Sequence, residues 1–515
     1  MCGFGSVRFS RLLVKEIKAM QVLSTRGKMN AIPATQAVLQ GIAADGGLFV
    51  PQEFPQIDLN EMEAYAAHEY DVLAARVLQY FFDISEDSLK EITQQAYGTF
   101  DDSVVVPLRE LDASSYVMEL SHGPTLAFKD MALQVLPRLI RKALEIHQQE
   151  ENVLILTATS GDTGKAALEG FKDVPRTAIE VFYPVDGVAD MQRLQMVTQE
   201  GSNVEVCGVK GNFDDAQTGV KELFANRELK DMLKKAGYTF SSANSINFGR
   251  LIPQVAYYIY AYAKLAAEGK IKSGEKINFV VPTGNFGNIL AGYYAKRMGL
   301  PIGKLVCASN CNNVLTDFFN NSVYDANRTF HKTMSPSMDI LISSNLERLL
   351  FEMTGRDEAQ VCAWMDALKT NGKYEISPEM QTNLKETFYA DFCSEQETAQ
   401  AIRDTFRQYG YLIDPHTAVA QCVCGKYRKM TGDGTLCVVV STANPYKFTQ
   451  DVLESVSGES VADAFEAAAR LSELTGTPIP PQISELCEKP VLHNGCVEKT
   501  GLFSAVSEFI HKMGD

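Results

Sequence analysis

The 515-residue chain is short of basic residues and has no long apolar run and no Cys-x-x-Cys pair. Its 48 Lys and Arg residues stand against 64 Asp and Glu residues, which gives a net charge of -16. Because proteins that bind nucleic acid or anionic membranes usually present a basic face, we expect neither partner. No apolar run reaches the roughly 18 residues that a membrane span requires, so we also expect no span.

The eleven cysteines are scattered along the chain, with no spacing typical of a disulfide scaffold. This distribution is typical of reduced thiols, and we predict a cytoplasmic location. Cys422 and Cys424 lie close together in an apolar stretch, where cysteine more often packs as a small hydrophobic side chain than binds a metal. We therefore predict no metal site.

The chain has ordinary globular composition, no internal repeat and no low-complexity tract. Residues 1–19 carry four basic residues and one acidic residue, and we interpret them as an N-terminal extension outside the fold. A transit peptide and a start upstream of a natural Met20 are alternative explanations. Residues 20–100 are predicted to form a small helical domain, with Ser85 as the cap of one helix.

In residues 101–515 the pattern changes to short strands rich in Val, Ile and Leu, each followed by a polar turn and then a helix. This alternation is typical of parallel βαβ units with helices on both faces of the sheet. We predict an α/β fold. Because ligands of such sheets bind at the carboxyl ends of the strands, the candidate site lies in four strand-to-helix turns.

Two of these turns are rich in glycine. In GNFGN, Gly284 to Asn288, backbone N–H groups next to a helix N-terminus can bind a phosphate, although a plain tight turn is the alternative. The sequence matches neither a Walker loop nor GxGxxG, which argues against a nucleotide or dinucleotide. In SGDTG, Ser160 to Gly164, the polar groups suit a carboxylate, but Ser160 or Asp162 would equally serve as a helix cap.

The other two turns carry a lysine and a threonine. In HGPTLAFKD, Lys129 begins a helix among apolar neighbours, which favours a lysine of lowered pKa that forms a Schiff base over one on a solvated face. In STANPYKF, Thr442 ends a strand, and its hydroxyl could bond an aromatic ring nitrogen or cap the next helix. A Schiff-base lysine, a phosphate turn, a carboxylate turn and a strand-end hydroxyl together fit the needs of pyridoxal 5'-phosphate and an amino-acid substrate.

The ordered motifs closely resemble the threonine synthase family, in its longer fungal and bacterial subclass. They are STRG (24–27), GIAADGGLFVP (41–51), HGPTLAFKD (122–130), ATSGDTG (158–164), GNFDDAQ (211–217), NSINFGR (244–250), PTGNFGN (282–288), SPSMDI (335–340), SSNLER (343–348), DPHTAVA (414–420) and STANPYKF (441–448). The resemblance implies the tryptophan-synthase-β-like fold of pyridoxal-phosphate enzymes: parallel sheets flanked by helices in two α/β subdomains, preceded by the small N-terminal domain.

The resemblance also implies roles for individual residues. Lys129 would be the catalytic lysine and would bind the cofactor covalently, and Thr442 would face the cofactor's ring nitrogen. The residues implied for the cofactor phosphate are Gly284, Asn285, Phe286, Gly287 and Asn288. Those implied for the substrate are Thr159, Ser160, Asp162 and Thr163 at its carboxylate, and Asn247, Arg250 and His122 or Arg26 at its phosphate.

The implied reaction converts O-phospho-L-homoserine and water to L-threonine and phosphate, by γ-elimination and addition of water at the β carbon. Such an enzyme would act as a monomer or a homodimer. The residues leave three other functions open. The first is a threonine dehydratase or cysteine synthase, which needs no second phosphate pocket, and the second is a binding or regulatory protein, which does not need an intact Lys129. The third is a dinucleotide-dependent oxidoreductase, which the lack of GxGxxG disfavours.

Overall fold

The computed structural model describes residues 20–159, 161–185 and 187–514. The predicted extension, residues 1–19, lies outside the described residues. Within the described ranges, none of the helices combines the length and the apolar character needed to cross a membrane.

The N-terminal part contains a small antiparallel sheet in addition to the expected helices. Its elements are β1 (Gln21–Ser24), β2 (Ile32–Pro33), α1 (Ala34–Gln40), β3 (Phe49–Pro51), α2 (Leu59–Tyr65), α3 (Tyr70–Gln79) and α4 (Glu86–Tyr97). The strand order is β2-β1-β3. These strands have two to four residues, too few for an alternating pattern to show in the sequence. Ser85 caps α4 as predicted, its hydroxyl accepting a hydrogen bond from the Ser88 amide at 3.4 Å.

Strands and helices then alternate. The elements up to residue 267 are β4 (Leu108–Asp112), β5 (Ser115–Glu119), α5 (Asp130–Leu133), α6 (Leu136–Ile146), β6 (Asn152–Ala158), α7 (Asp162–Phe171), β7 (Thr177–Pro184), α8 (Asp190–Val197), β8 (Val204–Lys210), α9 (Phe213–Ala225), α10 (Arg227–Lys235), β9 (Tyr238–Ser241), α11 (Phe248–Leu251) and α12 (Pro253–Ala267).

The remaining elements follow the same pattern, with more helices towards the end. They are β10 (Ile277–Pro282), α13 (Gly287–Arg297), β11 (Ile302–Ser309), α14 (Val314–Asn321), β12 (Val323–Asp325), α15 (Leu346–Met353), α16 (Glu358–Asn371), β13 (Lys373–Glu375), α17 (Pro378–Thr387), β14 (Phe388–Phe392), α18 (Glu395–Tyr409), α19 (Pro415–Thr431), β15 (Cys437–Ser441), α20 (Thr449–Ser457), α21 (Ala464–Thr475), α22 (Pro481–Ser484), β16 (Gly495–Glu498) and α23 (Leu502–Gly514). Short 3-10 turns occupy Pro336–Met338 and Pro445–Phe448.

Two larger sheets carry the predicted site. One has six strands in the order β14-β11-β10-β15-β5-β4, of which only β4 is antiparallel to its neighbour. The other has five parallel strands in the order β16-β8-β7-β6-β9. Every residue of β7 and β10 is buried, as expected for strands covered on both faces. The prediction of parallel sheets flanked by helices is confirmed.

The N-terminal elements share a hydrophobic core with the sheets. Phe81 and Phe82, which follow α3, are both buried, and their ring centroids lie 6.4 and 6.1 Å from the ring of Phe248 in α11. Tyr70 in α3 packs edge-on against Tyr260 in α12, with centroids 5.2 Å apart. Edge-to-face aromatic pairs of this kind stabilise a contact beyond their buried area. The N-terminal part therefore fixes the position of α11, which borders the site.

Candidate active site

A cavity of about 1090 Å³ lies where the carboxyl ends of the two sheets meet. The turns after β5, β6, β10 and β15 all line it, contributing Lys129, Asp162, the range 284–288 and Thr442 respectively. The structure therefore brings together the four turns that the sequence indicated, although they are far apart in the chain.

Lys129 stands at the start of α5, after a turn in which Leu126 has a positive φ of 60°. The amide of Phe128 donates to the carbonyl of Thr442 at 2.8 Å, so the lysine turn is tied to the strand end that carries the predicted hydroxyl. Burial lowers the pKa of the Lys129 amine, Arg250 lowers it further, and Asp162 opposes both. A lowered pKa is the property that a Schiff-base lysine needs.

Asp162, the first residue of α7, contacts lysines on both sides. Its Oδ2 lies 3.4 Å from Lys129 Nζ and accepts a hydrogen bond from Ser337 Oγ at 3.1 Å. Its Oδ1 lies 3.1 Å from Lys447 Nζ. Burial alone would raise the pKa of this carboxyl, but Lys447 and then Lys129 lower it well below its usual range. The side-chain carboxylate of Asp162 therefore lies between the amines of two lysines.

The turn 284–288 presents unpaired backbone donors to the cavity. Two of its carbonyls accept hydrogen bonds from the segment before α15: Ser343 Oγ donates to Gly284 O at 2.8 Å, and Asn345 Nδ2 donates to Asn285 O at 2.9 Å. Among the described residues, none accepts a hydrogen bond from the five N–H groups of this turn. Phe286 has a positive φ of 63°, a strained value for a bulky residue that is typical of functional sites. Such a turn at a helix N-terminus fits a phosphate.

Phe286 and Asn288 contribute to this turn in different ways. The ring of Phe286 is buried and lies 6.1 Å from that of Phe319, so only its backbone faces the cavity. The Oδ1 atom of Asn288 accepts hydrogen bonds from Tyr257 at 2.6 Å and Tyr258 at 2.7 Å. These two bonds fix the amide so that Nδ2 is a buried donor with no partner in the described part of the chain. An unsatisfied buried donor carries a cost that an anionic ligand would remove.

The SGDTG turn is only partly described, because Ser160 lies outside the described residues. Thr159 and Thr163 both line the cavity. Thr159 Oγ1 accepts hydrogen bonds from the amides of Gly161 at 3.0 Å and Gly164 at 2.9 Å, so this hydroxyl shapes the turn. Of the residues of this turn that are described, Thr163 therefore offers its hydroxyl to the cavity, at the N-terminus of α7.

Of the lysines and arginines that line the cavity, Arg250 is the one buried with Lys129 among the described residues; Lys221, Lys230 and Lys234 also line it. Arg250 is 6% exposed, and its Nη1 donates to Ala243 O at 2.8 Å. No carboxylate within the described ranges forms an ion pair with it. Burial lowers the pKa of its guanidinium to about 10. A buried cation with one neutral acceptor is incomplete without an anion.

Three other predicted residues have partners elsewhere, and none is among the described residues that line the cavity. Asn247 caps α11 and donates to Val38 O at 3.0 Å. His122 lies 2.9 Å from Asp101 and 2.8 Å from Glu119. Arg26 forms an ion pair with Glu347. These basic and amide groups are satisfied by the protein itself.

Sequence reasoning missed three polar residues beside Lys129. Ser337 Oγ accepts a hydrogen bond from Lys129 Nζ at 3.2 Å, and the amide of Ser337 donates to His416 Nε2 at 3.2 Å. The other ring nitrogen of His416 lies 2.8 Å from Asp414 Oδ1. Lys447 is the third residue, and it contacts Asp162, the carboxylate beside Lys129. All three occur in motifs quoted above, but their local sequence gives no sign of these contacts.

One group of potential metal ligands lies away from the cavity. Within the described residues, Cys393, Glu397 and Cys422 have ligand atoms that lie within 4.8 Å of one another. The carboxylate of Glu397 is already bound, since it accepts from Ser394 in a helix capping box and pairs with Lys426 at 2.7 Å. Its hydrogen bonds give it a structural role at the start of α18.

Comparisons with known proteins identify the family of this chain. The family described as "Threonine synthase N terminus" matches residues 21–97, and that described as "Pyridoxal-phosphate dependent enzyme" matches residues 105–385. The threonine synthase of Pseudomonas aeruginosa is 39% identical over 88% of this chain and 96% of its own length. Human threonine synthase-like 1 is 39% identical over 92% of this chain, which spans 63% of that protein.

Solved structures give the same result. The PLP-bound threonine synthase of Brucella melitensis is 37% identical, with a TM-score of 0.85 over 96% of this chain and 99% of the other. The yeast threonine synthase is 32% identical, with a TM-score of 0.86 over 96% and 99%. The resemblance stated from the motifs is confirmed. This chain therefore belongs to the threonine synthase family of pyridoxal-phosphate-dependent lyases, and pyridoxal phosphate is its cofactor.

Proposed function

We propose that the cavity converts O-phospho-L-homoserine and water to L-threonine and inorganic phosphate. The observation that carries this substrate is Arg250, a buried guanidinium beside Lys129 that no described carboxylate neutralises. The turn 284–288 already suits one phosphate, so Arg250 provides for a second anion in the same cavity. A substrate that carries its own phosphate supplies that anion.

The residues present fit the cofactor. Lys129 would bind it covalently, the free N–H groups of 284–288 with Asn288 Nδ2 would hold its phosphate, and the Thr442 hydroxyl would face its ring nitrogen. When bound, the cofactor supplies a conjugated ring that accepts the electron pair left at the substrate's α carbon. Because Thr442 is a hydroxyl and not a carboxylate, it would not hold a proton firmly on the ring nitrogen.

Lys129 is the group that moves protons in this proposal. Its amine, once displaced by the substrate amine, would take the α proton and serve as base and acid in the later transfers. Ser337 Oγ, 3.2 Å from Nζ, and Asp162 Oδ2, 3.4 Å from it, hold the amine in place. Burial lowers the pKa of the amine, so a larger unprotonated fraction is present near neutral pH.

Arg250 would bind the phosphate of the substrate and stabilise it as it leaves. The guanidinium is fixed before the substrate arrives, by its bond to Ala243 O and by the packing of α11. Donors that are already in place lose little energy in rearrangement when charge develops on a leaving group. Asn247, which was predicted with Arg250 to bind the substrate phosphate, would act indirectly, because it caps α11.

The substrate carboxylate would lie at the N-terminus of α7. Thr163 offers its hydroxyl there, and the ten-residue helix directs the positive end of its dipole at the cavity. Thr159 would hold the turn in shape from within. Asp162 would act on Lys129 and not on the carboxylate, since two like charges at that place repel each other.

The test uses the purified chain loaded with pyridoxal phosphate. We expect O-phospho-L-homoserine to give phosphate and threonine in equal amounts, and L-homoserine, which lacks the phosphate, to give neither. The variant Arg250→Met should lose at least about a hundredfold in kcat/KM, which is the effect of removing one charged contact to a phosphate. Equal turnover of a substrate without phosphate would contradict the proposal.

We also propose the finer points of organisation and setting. Residues 20–100 form an N-terminal domain, and residues 101–515 form a catalytic region of two α/β subdomains. The two family matches support this boundary, because the first ends at residue 97 and the second begins at residue 105. The chain acts in the cytoplasm, as a monomer or a homodimer. The ten described cysteines are all unpaired, as is usual in a reducing compartment.

A further inference from the structure

Lys447 is an ammonium group enclosed by the protein. Its side chain is fully buried, and it lies five residues beyond Thr442, in the 3-10 turn Pro445–Phe448. Nζ donates to Thr125 O at 2.7 Å and to Gln195 Oε1 at 3.0 Å, and it lies 3.1 Å from Asp162 Oδ1. These three oxygens match the three N–H donors of an ammonium group. Lys447 therefore has a single, fixed position.

Asp162 divides its two oxygen atoms between two lysines. Oδ1 serves Lys447, and Gln192 Nε2 also donates to it at 2.9 Å. Oδ2 faces Lys129 and Ser337. Lys129 must be without its proton whenever it acts as a base, whereas the partners of Lys447 in the described part of the chain are Thr125, Gln195 and Asp162, none of which takes its proton in the proposed reaction.

We propose that Lys447 is a positioning residue of the reaction: its fixed ammonium keeps the carboxylate of Asp162 charged and aimed at Lys129 throughout the cycle. The inference rests on the proposed role of Lys129. Without Lys447, each loss of charge at Lys129 would leave a buried carboxylate with no cation beside it, a state of high energy. Lys129 would then keep its proton to a higher pH.

The surrounding charges are consistent with this role. Lys447, Lys129 and His416 all act on Asp162, and Lys447 and Arg250 both act on Lys129. Asp130, which is fully buried, is another acidic group on which Lys447 acts. Burial raises its pKa to about 6, and its bonds to Thr125 and the charge of Lys447 oppose that rise. Its carboxylate is bound to Thr125 and not to Lys447. Asp162 is thus the carboxylate that contacts both Lys447 and Lys129.

The test measures the proton on Lys129 directly, in the full chain from which the cofactor has been removed. Acetic anhydride modifies only unprotonated amines, and mass spectrometry follows the peptide of Lys129 between pH 6 and 10. In Lys447→Met we expect the rate at pH 8 to fall about tenfold, the effect of one neighbouring buried charge. Lys447→Arg, which keeps the charge, should stay within about twofold of the parent.

A matched control separates charge from packing. Gln195→Met removes a neutral partner of Lys447 and disturbs the same buried place, and we expect it to leave the Lys129 profile unchanged. An unchanged profile in Lys447→Met, an equal loss in Lys447→Arg, or an equal loss in Gln195→Met would each overturn the proposal. Acetylation requires no substrate, so failure to release phosphate from O-phospho-L-homoserine would refute the proposed function and leave this result standing.

Discussion

Replacement of Arg250 by methionine should make the cofactor-free protein more stable while it weakens substrate binding. Burial lowers the pKa of this guanidinium from 12.5 to about 10, which corresponds to about 3 kcal/mol of cost for keeping it charged in the fold. A basic group whose pKa is lower in the folded than in the unfolded state destabilises the fold at every pH below its folded-state pKa. Loss of the hydrogen bond to Ala243 offsets about 1.5 kcal/mol of this stabilisation. The free energy of unfolding of the variant should therefore exceed that of the parent by about 1–2 kcal/mol.

Arg348 provides the matched comparison, because burial lowers its pKa to the same value of about 10. It is fully buried and donates to Phe49 O at 2.8 Å, to Ile246 O at 2.6 Å and to Asn345 Oδ1. Replacement of Arg348 by methionine leaves these three acceptors without their donor. We therefore expect a loss of about 3 kcal/mol or more, the usual effect of orphaned buried acceptors.

The assay is thermal unfolding of the parent and both variants, with and without inorganic phosphate. For a chain of this size the gain in the Arg250 variant is a rise of about 1–2 °C in Tm. Phosphate should raise the Tm of the parent and have a smaller effect on the Arg250 variant, since a ligand stabilises only the state that binds it. If the Arg250 variant is destabilised as much as the Arg348 variant and phosphate still protects it, Arg250 is structural and our reasoning is refuted.

Three further predictions concern the turns and the ion pair near the site. Gly284→Ala should weaken cofactor retention by about tenfold or more, because the added Cβ would lie 2.7 Å from the backbone oxygen of Ser337. Gly287→Ala should retain the cofactor, because the nearest atom to its added Cβ is 3.6 Å away. Dialysis followed by absorbance readings of the bound cofactor distinguishes the two variants. Lys129→Ala should abolish both the visible cofactor band and turnover, and retained activity would exclude its assigned role. Asp101 and Glu119 outweigh the effect of burial and raise the pKa of His122 to about 10. The protonated imidazole therefore stabilises the folded state at about pH 6, and this stabilisation is lost as the pH rises through about 10. His122→Gln should lower the urea midpoint of unfolding at about pH 6 but not at about pH 10.5.

The sequence predicts those parts of the candidate site that lie in turns at the ends of strands. The four turns could be found because strand, polar turn and helix follow one another in the chain, and parallel strands bring their ends together. Asn247 and His122 show the limit of sequence reasoning. Their sequence context does not reveal that the amide caps a helix and that the imidazole is held by two carboxylates. Ser337 and Lys447 were missed because only the fold, and no local pattern, places them beside Lys129.

The packing of Phe248 against Phe81 and Phe82 has a consequence for how such a protein changes over evolutionary time. The groups proposed for the cofactor all come from residues beyond 101, whereas the helix that carries Arg250 is held from the N-terminal side. If Arg250 binds the substrate phosphate as proposed, altering that aromatic contact would move the arginine without touching the turns proposed for the cofactor. Core substitutions in the first hundred residues would then change the choice of substrate and leave those turns intact.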